Sequence, residues 1–98
     1  MTKKINKYKL RLDLLELIRP DDKVYTPIEL EFSNHDNIFA IIEKMKERNR
    51  FKTEQDSVEF AIGLKLFSEV MLKNKENPLF EDFRPAFGNM MKKLKSGV

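Results

Sequence analysis

The sequence predicts an α+β fold in which an N-terminal antiparallel β-hairpin packs on three helical segments. Three observations predict it. Apolar and polar residues alternate in two runs near the N-terminus, two later runs repeat their apolar residues at helical spacing, and phenylalanines and methionines keep that spacing toward the C-terminus. With 98 residues and 41% hydrophobic content, a single domain over residues 1–98 is expected, with basic flexible ends at about 1–4 and 95–98.

The first predicted strand runs from Tyr8 to Leu14, where every second residue is apolar and the intervening residues are charged. This alternation is typical of a half-buried strand. It breaks at Leu14-Leu15, which predicts either a bulge or a strand end covered on both faces.

A turn and a second strand follow. Residues 19–23 combine a proline with two aspartates, which is turn chemistry. Alternation from Val24 to Phe32 then predicts the second strand, and Pro27 predicts an edge or an irregularity because proline cannot donate to a ladder. The solvent face should carry cross-strand charge pairs of Lys9 and Arg11 with Glu29 and Glu31.

Two helix starts share one pattern, a hydroxyl three residues before a carboxylate. Ser33 precedes Asp36 and Thr53 precedes Asp56 in this way, which predicts a capping box at each start. The first helix should bury the stripe Ile38, Ile41, Ile42 and Met45, widened by Phe39.

The second helix is predicted from about Glu54 to about Asn74. Its residues are apolar around most of the circumference, so other elements should wrap it on several sides. Gly63 in its middle costs roughly 1 kcal/mol against alanine, which predicts a close-packed neighbour there.

The last segment has a stripe of aromatic and methionine residues. Pro85 either starts a new helix or kinks a continuing one. Core packing is the preferred interpretation of the stripe, and a subunit contact is the alternative. Its members are Phe80, Phe83, Phe87, Met90, Met91 and Leu94.

The positions of basic and acidic residues along the chain make some classes of function less plausible than others. Residues 1–12 and 88–98 together hold eight basic groups and no acids, so the body carries 11 basic against 16 acidic groups, a net charge of −5. A dedicated nucleic-acid binder more often carries its positive excess on the folded face. The chain has no cysteine, which fits a reducing cytoplasm, and no apolar run approaches the ~20 residues of a membrane span.

Two groups of residues are candidate site residues. His35 beside Asp36 is a candidate rim of a ligand pocket between the hairpin and the helices, although helix capping and surface exposure are the preferred explanation of both residues. A basic patch is the second candidate, and a solvated helix end is its simpler explanation. The patch consists of Lys44, Lys46, Arg48, Arg50 and Lys52.

Several segments resemble a small bacterial family of unknown function. They are residues 32–39, 63–74, 77–80 and 84–88, and the resemblance extends from the first strand to Leu94. It implies a compact α+β fold in a bacterial protein, and it implies no activity, cofactor or catalytic residue.

The sequence contains no local motif for a nucleophile system, a phosphate loop or a histidine-rich metal site, so no catalytic, cofactor or metal residue is predicted. The favoured hypothesis is a non-enzymatic cytoplasmic binding module that forms a homodimer or binds another partner. The alternatives are a nucleic-acid accessory protein, which would use the basic ends and the 44–52 patch, and a small-ligand-binding domain.

Overall fold

The computed structural model describes residues 4–96 and has the predicted α+β architecture. The chain forms two compact units, Met1–Asn37 and Ile38–Val98. In chain order the elements are β1 (Asn6–Leu12), β2 (Ile28–Asn34), α1 (Ile38–Glu47), α2 (Glu54–Lys73), a short 3-10 helix (Pro78–Phe80) and α3 (Arg84–Ser96). Of the predicted flexible ends, residues 1–3 and 97–98 lie outside the described residues, whereas residues 95–96 are helical.

The first unit is an antiparallel hairpin whose strands pair from Asn6 opposite Asn34 to Leu12 opposite Ile28. Both strands differ from their predicted bounds. β1 ends at Leu12 rather than Leu14, so the phase break lies beyond the strand, and β2 begins only after Pro27, which has no N–H to donate to the ladder.

The polar face of the hairpin carries the predicted charge pairs. Lys9 lies opposite Glu31 and Arg11 lies opposite Glu29. Glu29 accepts from both cations, with its carboxylate oxygens 3.3 Å from Lys9 Nζ and 2.9 Å from Arg11 Nη1. These side chains are exposed, so water screens both pairs and they add little to stability.

Only one of the two predicted helix caps is correct. Thr53 caps α2, because its Oγ1 accepts from the Asp56 amide at 3.0 Å. Ser33 instead lies within β2, and the buried Asn34 accepts from the Asp36 amide at 2.9 Å. The strand therefore continues through the residues that the pattern assigned to a cap.

The second unit begins with α1, which buries Ile38, Ile42 and Met45 as its periodicity predicts. The prediction that Phe39 widens this stripe is wrong, since it is 71% exposed. After the helix, Asn49 adopts a φ of 50° and its amide donates to the Lys46 carbonyl at 3.1 Å. Asparagine tolerates this left-handed conformation better than most residues, so it ends α1.

The long helix α2 contacts α1 and buries Ala61, Leu64 and Met71. It is less enclosed than expected, because Val70 and Leu72 are 51% and 55% exposed. Its circumference is therefore only partly covered.

The expectation of a close neighbour at Gly63 is also wrong. No atom from outside its own helical backbone and its two chain neighbours lies within 4 Å of a Cβ built there. The glycine is therefore not required by packing in α2.

Aromatic residues join α2 to the C-terminal segment, as the stripe predicts. The Phe67 ring lies 5.9 Å from Phe80, 5.7 Å from Phe83 and 6.4 Å from Phe87, measured between centroids. These edge-on geometries are the favoured ones for aromatic rings. Pro85 is the second residue of α3, so it starts a new helix rather than kinking an old one.

Candidate functional site

An exposed apolar surface covers the end of the hairpin where the two strands are connected. The aliphatic side chains of Leu15, Ile18 and Val24 are 94%, 100% and 94% exposed. We call this region the hairpin-end surface, and it consists of Leu12, Leu14, Leu15, Ile18, Val24, Tyr25 and Ile28.

Part of the hairpin-end surface forms an open groove of about 590 Å³. The groove is lined mainly by leucines, together with Ile28, Tyr25 and Thr26. Asp13 and Glu16 are its two charged lining residues. The site is thus concave and apolar, with polar groups at its margin, which is the usual character of a binding surface.

Polar contacts hold the connecting segment, while its aliphatic side chains face solvent. The Asp21 carboxylate accepts from the Lys23 amide at 2.9 Å and from the Tyr25 hydroxyl at 2.8 Å. The hydrogen bond to Asp21 raises the pKa of Tyr25 above its ordinary value, because the anionic acceptor stabilises the protonated phenol. Arg11 Nε holds the Asp13 carboxylate at 2.9 Å.

Burial falls steadily along the apolar face of the hairpin. Tyr8 and Phe32, which stack at 5.2 Å, are half-buried. Farther along the same face, Leu30 is exposed, and Leu12 and Ile28 are more exposed still. The uncovered part of this face therefore runs directly into the groove.

His35 and Asp36 lie together at the opposite end of the hairpin. Their backbone carbonyls accept hydrogen bonds from Asn6 Nδ2 at 3.1 Å and from the Tyr8 hydroxyl at 2.7 Å. The His35 side chain is exposed, and neither residue lines the hairpin-end groove. These contacts give both residues a structural role in closing the open end of the hairpin.

The basic patch lies at the end of α1 and in the connection to α2. Arg48 Nη1 and Arg50 Nη2 donate to the Leu94 carbonyl at 3.4 Å and 3.2 Å. That carbonyl is in the last turn of α3, where the negative end of the helix dipole favours cations. Phe51 packs against Phe60, with their ring centroids 4.9 Å apart.

The remaining cations of the patch occupy different positions. Lys44 and Lys46 lie in the last turn of α1, and Lys46 Nζ is 3.6 Å from Glu43 Oε1. Lys52 is exposed immediately before α2. Two arginines of the patch thus tie α1 to α3, and the lysines face solvent to differing extents.

The sequence interpretation missed the hairpin-end surface. One signal was the break in alternation at Leu14-Leu15, because the apolar residues on either side of the break cannot all share one strand face. Ile18 and Val24 flank the polar turn and are apolar where a connecting segment is usually polar. Together these positions indicate apolar residues in excess of what a hairpin can bury.

Within residues 4–96, no helix is long and apolar enough to cross a membrane. In the same range, no three histidine, aspartate or glutamate side chains are grouped so that they could hold a metal ion.

These features define a small α+β protein with an exposed apolar groove at the end of its hairpin. The chain belongs to the DUF3861 family, a domain of unknown function, which matches residues 6–96. A crystal structure of a protein of unknown function from Pectobacterium atrosepticum is similar to it, with 32% sequence identity and a TM-score of 0.74. That similarity covers 94% of this chain and 98% of the other. A comparison with curated proteins gives no match.

Proposed function

We propose that the chain is a non-enzymatic, cytoplasmic interaction module that binds a protein partner through the hairpin-end surface. The single observation that carries this proposal is the apolar groove, whose lining residue Leu15 is almost fully exposed, as are Ile18 and Val24 in the same connecting segment. The cytoplasmic location is supported by the absence of cysteine from the sequence.

The energetics favour an occupied surface. Removing apolar area from water is favourable by about 25 cal/mol per Å², or about 1.5–3 kcal/mol for a complete aliphatic side chain. Contiguous apolar patches on soluble proteins commonly mark interaction sites. The polar contacts of Asp21 with Lys23 and Tyr25 hold the segment, so a partner would meet a surface that is partly organised in advance.

Site-specific photo-crosslinking in cells of the source organism tests the proposal. A photoreactive phenylalanine analogue replaces Ile18 in one variant and Leu79 in a matched control, because Leu79 is also 77% exposed but lies in the second unit. We expect protein adducts from position 18 and few or none from position 79, with each adduct identified by mass spectrometry. The same weak adducts from both positions would contradict the proposal.

A second candidate function is binding of a polyanion such as nucleic acid by the second unit. The observation that favours it is the contact of Arg48 and Arg50 with the Leu94 carbonyl, which brings the 44–52 patch next to the basic end of α3. Phosphate backbones are bound by such groups of cations in a salt-dependent manner. The α3 cations are Lys92, Lys93 and Lys95.

Fluorescence anisotropy with labelled single-stranded and double-stranded oligonucleotides tests this candidate. Replacing the three α3 lysines by glutamine should weaken binding and reduce its dependence on salt, whereas the same replacement of Lys4, Lys7 and Lys9 is the matched control in the first unit. The arginines are left unchanged because their loss would also disturb α3. Absence of binding at low salt would refute this candidate.

A further inference from the structure

We infer that the partner of the hairpin-end surface is a second copy of this chain, which forms a two-fold dimer through that surface. This inference rests on the proposed function, because it names the occupant of the same site. Three features of the described residues support it: the apolar area, the presence of both acids and bases around it, and the charges on the strand edges.

The apolar area suits a small dimer interface. The exposed fractions of the seven residues of this surface add up to the equivalent of about five fully exposed residues. At roughly 60–120 Å² for each complete aliphatic side chain, one copy offers about 300–600 Å² and two copies about 600–1,200 Å². The upper part of this range reaches the roughly 1,000 Å² that a specific interface needs, and a polar rim adds to it.

Acids and bases both occur in the segment that carries the surface. Of the charged residues between the strands, Asp13 and Asp21 already accept from Arg11 and Tyr25 within the chain. Arg11 neutralises Asp13, whereas Tyr25 is a neutral donor and leaves the charge of Asp21 in place. The segment nevertheless carries bases as well as acids, so a base of one copy can pair with an acid of the other. The other four charged residues are two acids and two bases, namely Glu16, Asp22, Arg19 and Lys23.

A two-fold contact brings the same surface of each copy together, so each base of one rim faces the rim of the other copy. Arg19 of one copy can then pair with an acid of the other, and the reverse pair forms by symmetry. Such rim pairs contribute to specificity and to correct alignment more than to affinity.

The charges on the strand edges disfavour another symmetric dimer, in which the same strand edge of two copies pairs. An antiparallel pair of two β1 strands would place cations opposite cations, and a pair of two β2 strands would place glutamates opposite one another or opposite Ser33. Pairing β1 with β2 of another copy satisfies the charges but runs head to tail and does not form a closed dimer. The strand edges therefore offer no closed dimer with complementary charges, whereas the hairpin-end surface permits one.

Sedimentation equilibrium over a range from low micromolar to about 1 mM protein tests the inference. We expect the wild-type chain to approach twice its monomer mass as the concentration rises. Leu15→Asp and Ile18→Asp should each raise the dimer dissociation constant at least about a hundredfold, because each substitution occurs twice in a symmetric dimer.

Leu79→Asp is the control, since it places the same charge on a similarly exposed residue of the second unit and should leave the dissociation constant within about threefold of wild type. Circular dichroism of all three variants should match wild type, because the replaced side chains are exposed. A monomeric wild-type chain throughout the range, or a dimer insensitive to Leu15→Asp and Ile18→Asp, would overturn the inference.

Sedimentation equilibrium and photo-crosslinking together distinguish failure of the dimer from failure of the proposed interaction function. A monomeric chain that crosslinks from position 18 to a different protein would overturn the inference and leave the proposed function standing. A monomeric chain with no specific adduct from position 18 would overturn both.

Discussion

Replacing Gly63 by alanine should stabilise the chain, contrary to the usual effect of a substitution inside a helix. Gly63 lies in the middle of α2 and is exposed, and no atom outside its two chain neighbours and its own helical backbone lies within 4 Å of the added Cβ. The gain should therefore be the intrinsic helix preference of alanine over glycine, about 1 kcal/mol, with no steric cost to offset it.

Thermal and urea unfolding, followed by circular dichroism at low protein concentration, would measure this gain. A change of about 1 kcal/mol corresponds to a rise of about 4–8 °C in Tm for a domain of roughly 60–100 residues. Ala61→Gly is the reciprocal control, because Ala61 is fully buried two positions earlier in the same helix and should lose at least about 1 kcal/mol. A Gly63→Ala variant less stable than wild type would refute the reasoning and imply a close neighbour at that position.

Three further predictions follow from specific contacts. Thr53→Ala should cost about 1 kcal/mol of unfolding free energy through loss of the α2 cap, whereas Ser33→Ala should stay within about 0.5 kcal/mol, as chemical denaturation would show. Arg50→Gln should lower stability by about 1–2 kcal/mol because Arg50 contacts the end of α3, and a neutral effect would contradict that role. Asp21→Asn should lower the pKa of Tyr25 toward its ordinary value, measured by ultraviolet titration. Because the folded-state pKa is raised, the stabilising hydrogen bond is present below the ordinary pKa and is lost as the pH rises through the folded-state value.

Local patterns predicted the elements of the fold well where a single physical cause dominates. The cap at Thr53 and the long apolar run after it predicted α2 almost to its observed ends. The same hydroxyl–carboxylate pattern failed at Ser33, because pairing of β2 with β1 extends the strand through Asn34. Sequence-local hydrogen bonds compete with strand pairing, and the pattern alone does not decide between them.

The candidate site was harder to predict than the fold. Periodicity indicates which residues share a face, but it does not indicate whether another element covers that face. Phe39 and Val70 were expected in covered stripes and are exposed. Leu15 and Ile18 likewise gave no sign of their exposure beyond the break in strand alternation.

The basic patch illustrates the opposite case, in which a surface cluster has an internal role. Its composition indicated either solvated charge or a polyanion site. The contacts of Arg48 and Arg50 with the Leu94 carbonyl join residues more than forty positions apart, which no local pattern could predict. Because these arginines contact α3, the polyanion test replaces lysines of α3 and leaves the arginines unchanged.

The measurement that tests self-association through the hairpin-end surface most directly is a dilution series of ¹H–¹⁵N correlation spectra of the wild-type chain. We expect amide shifts to change with concentration mainly in residues 12–28, and we expect Leu15→Asp to abolish these changes. Concentration-dependent shifts confined to α1, α2 or α3, or none up to about 1 mM, a range that detects even weak association, would contradict a dimer formed through this surface.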